Sequence, residues 1–228
     1  MQVIRTRGGV RLKQHGVVIS EVRVTPGPTH SIFDVLAALM VALDNGDSVG
    51  LLGFSAGGML APLVALGWQR RLVAVDLDAE AYEVFCRECP QWIPRVTFHR
   101  AEASTWLRRC RSRFGFLVED LSVATPADVV KPDVSWTELP ALIRRRLLPG
   151  GTAVFNLLPD PVIPWTKAIP MIRRHFRDAR QIHLEEFENR LLVVGERLPD
   201  ARRLGRAVDG LLASLGSRQA GLTRARIA

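Results

Sequence analysis

Between residues 48 and 157 the chain switches repeatedly between two periodicities, and this restricts its fold more than any other feature. Short apolar runs, "SVGLLGF" (48–54), "RLVAVDLD" (71–78), "RVTFHRA" (95–101) and "FGFLVED" (114–120), are each followed by helical spacing, over about 57–67, 79–88, 103–111 and 136–147, the last interrupted by Pro140. Nearly continuous apolar runs of this length suit strands buried on both faces. A helix between two strands of one sheet brings the second back parallel to the first. The expectation is therefore an α/β fold with a Rossmann-like, mostly parallel sheet and helices on both faces. "TAVFNLL" (152–158) adds a strand after the "LLPGG" turn, and "WTKAIPMIRRHF" (165–176) adds a helix. "ARQIHLEEF" and "NRLLVVGE" then close the sheet, with only Glu188 and Asn189 between their apolar runs. So short a connection makes an antiparallel hairpin. The result is a seven-stranded sheet whose last strand is antiparallel.

The flanks divide the chain into three parts. Residues 1–28 read as a small β-hairpin segment, with Gly8-Gly9 and His15-Gly16 as turns. Residues 29–199 form the α/β domain, whose first helix covers about 32–43 and is capped by Ser31 or Thr29. Residues 200–228 are a basic tail with one helical pattern, "RRLGRAVDGLLASLG".

At 228 residues the chain is long enough for one domain with a full core. "VLAALMVAL" (35–43) is too short to span a membrane, and "MQVIRTRGG" lacks the apolar block of a signal peptide. A cytoplasmic location without membrane contact is expected. The formal net charge is +8, but only Lys13, Lys131 and Lys167 among the 31 basic residues are lysine. That imbalance reflects composition more than ligand. Without zinc-finger spacing or interleaved aromatics, it argues against a nucleic-acid partner. Cys86 and Cys89 form a lone C-x-x-C with no second pair, so neither metal nor redox chemistry is expected there. An exposed N-terminal hairpin leaves a homodimer open.

"LLGFSAGGMLAP" (51–62) admits three readings. Gly53-Phe54-Ser55-Ala56-Gly57 matches G-x-S-x-G, which would make Ser55 the nucleophile of a serine hydrolase. That reading needs an acid, from Asp120, Asp160 or Asp178, and a histidine, His175 or His183. Alternatively, the glycines let backbone N–H groups approach a nucleotide cofactor. Asp76 then ends the next strand, 21 residues after Ser55, where a carboxylate can accept ribose hydroxyls. The third reading is an ordinary strand-to-helix turn.

The series "VGLLGFSAGG", "LVAVDLD", "VTFHRAEASTWL", "FGFLVEDLS", "LLPGGTAVFNLL" and "FENRLLVV" resembles the class I S-adenosylmethionine-dependent methyltransferase fold. It is most similar to the spermidine synthase (polyamine aminopropyltransferase) branch, over about residues 29–198. The resemblance implies that Gly53, Phe54, Ser55, Ala56 and Gly57, with Gly58, line the cofactor. It implies that Asp76, with Leu77 beside it, binds ribose and that Glu102 and Ala103 lie at the adenine. Asp120 is implied to deprotonate an attacking amine. The implied cofactor is S-adenosylmethionine or decarboxylated S-adenosylmethionine, without a metal, and the implied reaction moves an aminopropyl or methyl group to an amine. Three positions depart from the branch. Val123 replaces a second carboxylate, "THSIFD" replaces the Y-H-E run, and Ala56 replaces the loop acid. These leave the acceptor open, together with a catalytically inactive nucleoside-binding or interaction protein of the same fold.

Overall fold

The structure is a computed structural model describing residues 1–126 and 128–228. It begins with β1 (Gln2–Thr6), β2 (Gly9–Gln14) and β3 (Val17–Arg23), an antiparallel sheet in that order. Val10, Leu12 and Val22 of this sheet are buried in the same core as the following helices, so it is packed onto the body of the molecule. Next come α1 (Ile32–Ala42), β4 (Val49–Leu52), α2 (Leu60–Ala65), β5 (Leu72–Asp76) and α3 (Ala79–Glu88). A short 3-10 turn leads to β6 (Val96–Arg100), α4 (Ala103–Arg109) and β7 (Phe114–Glu119). A small hairpin, β8 (Val123–Ala124) and β9 (Val129–Val130), precedes α5 (Val134–Thr137), α6 (Leu139–Arg146) and β10 (Leu147–Leu157). The chain ends with α7 (Trp165–Arg173), β11 (Asp178–Leu184), β12 (Arg190–Gly195), α8 (Ala201–Leu215) and β13 (Thr223–Ile227).

The main sheet runs β13-β11-β12-β10-β7-β4-β5-β6. Strands β10, β7, β4, β5 and β6 are parallel; β12 pairs antiparallel with β10, β11 with β12, and β13 with β11. The α/β class and the antiparallel close match expectation. The sheet has one strand more than expected, because the tail supplies β13 at its edge. The β11–β12 turn is also longer than two residues. It covers Glu185–Asn189, since "EEF" leaves the sheet after Leu184 despite its apolar phenylalanine. Pro140 does not interrupt a single helix; it lies in the first turn of α6, where its missing N–H has no helical partner to lose.

Alternating side chains build a core on each face. Leu191 and Val193 of β12 join one core, with α1, α3 and α8, while Leu192 and Val194 join the other, with α6 and α7. Each fully buried aliphatic or aromatic side chain contributes about 1.5–3 kcal/mol. The tail docks because α8 is amphipathic: Leu204, Val208, Leu212 and Leu215 recur at helical spacing and are buried. Asp200 caps its start and left-handed Gly216 ends it. The turn after α8 is clasped to the start of α1. Buried Asp34 accepts from Thr29 N–H (2.8 Å), Thr29 Oγ1 (2.7 Å), His30 N–H (2.9 Å) and Ser217 Oγ (2.6 Å).

The chain order places a switch point beside β4. The strands step outward from β4 to β5 and β6, then return to β7 on its other side. Crevices outside the carboxyl ends of the strands at such a point are where α/β sheets hold ligands.

Candidate functional site

Gly53 leaves β4 at φ +88°, and a Cβ there would lie 2.4 Å from the carbonyl oxygen of Asp120. Only glycine lets the two backbones approach so closely. Gly53→Ala is expected to cost about 1–3 kcal/mol in a urea melt. Phe54 turns into the core, edge-on to Phe85 at 5.2 Å, and Ala56 is fully buried. Ser55 has φ +48° and Gly57 has φ +76°. A left-handed serine carries a penalty of about 1–2 kcal/mol. A charge-assisted bond opposes it: Ser55 N–H donates to Asp76 Oδ2 at 2.6 Å.

Asp76 ends β5, and its Oδ1 accepts from Asp78 N–H at 2.9 Å. A carboxylate has about four lone-pair sites, so capacity remains for a further donor. The next residue, Leu77, is 64% exposed, an apolar side chain offered to solvent beside the acid. Asp78 has a different task, capping α3 through Glu80 and Ala81 N–H. Glu102 caps α4, accepting from Ser104 N–H and Oγ and from Thr105 N–H at 2.7–2.8 Å. Burial pushes its carboxyl up, but these bonds outweigh burial and hold it below the ordinary range. Ala103 behind it is buried.

Asp120 follows β7 and is only partly exposed. Its N–H donates to Leu52 O at 2.8 Å, and its Oδ1 accepts from Asn156 Nδ2 at 2.7 Å. Burial raises its pKa to about 6, against the lowering effects of Asn156 and Lys131. The preceding residue, Glu119, points to the opposite face, as strand alternation requires. Its carboxylate is buried against Lys131 Nζ (2.7 and 2.8 Å) and Ser135 Oγ (2.8 Å).

A probable spermidine synthase from Corynebacterium glutamicum ATCC 13032 superposes with a TM-score of 0.76 at 17% identity, over 99% of this chain and 86% of that one. Human methyltransferase-like protein 13, in complex with SAH, gives 0.63 at 16% identity, over 82% and 92%. Spermidine synthase from Thermotoga maritima gives 0.63 at 14% identity, over 87% and 68%. The chain has a spermidine synthase-like class I methyltransferase fold. No protein-family model and no curated protein matches the sequence.

Within this fold the glycine-rich turn, Asp76, Glu102 and Asp120 all occupy the carboxyl ends of adjacent parallel strands or the turns that follow them. Two polar partners of that edge were not found by sequence reasoning. Asn156 hides in the apolar run "TAVFNLL", where its one signal is a buried amide among hydrophobic residues. Lys131 is one of only three lysines and directly follows two valines, which is the only hint that it is buried.

The hydrolase geometry is not assembled. Ser55 Oγ is buried and, among the described residues, has no hydrogen-bond partner. His183 lies inside β11 and His175 just beyond α7. Asp160 accepts from Val162 and Ile163 N–H, and Asp178 is paired with Arg180. Cys86 and Cys89 are free thiols; burial pushes Cys89 up to about 11. Among the described residues no three potential metal ligands cluster, and no helix is long and apolar enough to cross a membrane.

Proposed function

We propose that the protein is a transferase that binds S-adenosylmethionine, its decarboxylated form or the thioether product, and moves an aminopropyl or methyl group to an amine. The observation that carries this reading is Asp120. It is a partly exposed carboxylate with a pKa of about 6, in backbone contact with the glycine-rich turn. An adenosyl group fits the other residues. Asp76 keeps lone pairs for ribose hydroxyls, exposed Leu77 offers a face to a base, and the orphaned Ser55 Oγ belongs to the turn whose N–H is bonded to Asp76. Glu102 would contribute mainly by fixing α4, because its oxygens are engaged in capping.

When bound, the sulfonium supplies an electrophilic carbon already activated for displacement. The chain must align the amine and remove its proton. Asp120 is suited to the second task, since a base with a pKa near 6 is largely ionised at neutral pH yet accepts a proton readily. A small amine acceptor and a cytoplasmic setting complete the reading.

Calorimetric titration with the three adenosyl compounds, and NAD as a contrast, tests it. Binding of at least one adenosyl compound is expected, and a flat response to all three overturns the reading. Asp76→Ala should weaken that binding about tenfold or more, the value of one or two hydrogen bonds to a charged group. Unchanged affinity in the folded variant would remove Asp76 from the ribose site.

A second reading, a ligand-binding protein without turnover, is favoured by Val123. It is half exposed in β8, just after Asp120, and brings no second carboxylate to that stretch. Binding without turnover across a panel of amines would support it.

A further inference from the structure

A chain of side-chain hydrogen bonds leads away from Asp120 across the carboxyl edge of the sheet. Asn156 belongs to β10 and is 7% exposed, set in an otherwise apolar strand. A buried amide there is costly unless both of its ends are bonded. Its Nδ2 donates to Asp120 Oδ1 at 2.7 Å, and its Oδ1 accepts from Asn189 Nδ2 at 2.9 Å. Asn189 is the residue before β12, in the Glu185–Asn189 turn.

The polarity of this chain is set at its carboxylate end. An ionised carboxylate can only accept, so Asn156 must turn its NH2 toward Asp120. Its oxygen then faces position 189, which must supply a donor. Asparagine does so; an aspartate of the same shape would present only acceptors. We propose that Asn156 and Asn189 are positioning residues that fix the direction of the Asp120 carboxylate and keep a donor on it. This rests on the reading of Asp120 as the proton acceptor.

Other charges act on Asp120 as well. Lys131 lowers its pKa, while Glu119 and Asp76 raise it. Among the described residues, Asn156 is the only side chain hydrogen-bonded to it. Removing that donor leaves burial and two carboxylates opposed by Lys131 alone. Asn156→Ala should therefore raise the Asp120 pKa by about one unit, the value of one hydrogen bond to a charged group. Asn189→Asp should raise it most, through its added negative charge and because Asn156 then gains by flipping its amide and turning its oxygen on Asp120. Asn189→Ala, which only releases the amide, should have the smallest effect.

The test is a pH titration of the full chain carrying 13C-labelled aspartate carboxyls, with Asp120→Asn identifying the resonance. The expected order of midpoints is Asn189→Asp above Asn189→Ala above the parent, with Asn156→Ala also raised. A purely structural role would lower melting temperatures and leave Asn156→Ala and Asn189→Ala, which add no charge, at the parent's midpoint. Unchanged midpoints in the folded alanine variants overturn the proposal. Asn189 lies in a turn, so its variants carry the test if Asn156→Ala does not fold. The titration needs neither ligand nor turnover. Its outcome is therefore separate from the calorimetric test of the transferase reading.

Discussion

Lys131→Met is expected to destabilise the fold by about 3–5 kcal/mol, read as a drop in the urea midpoint. The side chains of Lys131 and Glu119 are 1% and 0% exposed. Removing the ammonium strands a carboxylate between strand and helix, with Ser135 Oγ and the Leu121 N–H (3.3 Å) as its remaining donors. Such a loss is a large share of the 5–15 kcal/mol that usually holds a domain together. Glu119→Gln in the same chain should restore much of it, since the amide keeps an acceptor for Ser135 and carries no charge. Equal stability of the single and double variants would show that the pair's charge does not matter. Lys131 Nζ also donates to Leu121 O at 2.7 Å, tying down the residue after Asp120. The same substitution should therefore disturb the site.

Asp120→Asn should reduce turnover by about 10²–10⁴-fold, the usual contribution of a general base, and leave adenosyl binding within about twofold. The parent's rate should climb as pH rises through about 6, where the carboxylate loses its proton. A flat profile between pH 5 and 8 would count against Asp120 as the base. The variant also makes a stability prediction of opposite sign. The folded pKa is raised above the unfolded value, so the native state favours the protonated acid. That advantage is present below about pH 4 and is lost as pH rises through about 6. Above that pH the buried charge costs roughly 2 kcal/mol, lowered from the full shift because Asp120 is partly exposed. Asp120→Asn should thus be more stable than the parent at pH 8 and little different at pH 4. Melts at the two values would check this.

Much of this was legible in the sequence, because the strand-helix alternation and the strand-end acids are local signals. Ser31 capping α1 and the antiparallel close of the sheet follow from patterns a few residues long. What the sequence does not display depends on distant pairing. Nothing near Thr223 announces that it will pair with Leu184, so β13 has no local signature. Asn156 and Asn189 are 33 residues apart, and Lys131 and Glu119 are separated by a hairpin too short to show periodicity. The candidate site was readable for the same reason: its residues stand in order at strand ends. The partners that orient Asp120 and pin the following segment lie on other elements, and each looks like an ordinary polar residue alone.

The clasp between Asp34 and Ser217 joins residues 183 apart. Synthesis delivers α1 long before that turn and before α8, which covers α1. Until Ser217 emerges, the Asp34 carboxylate must stay hydrated and the apolar side of α1 that faces α8 has no cover. The core between α1 and α8 can therefore close only after Ser217 and α8 have been made. In the growing chain only the earlier elements, α2 among them, shield α1, and its α8-facing side waits for a segment made far later.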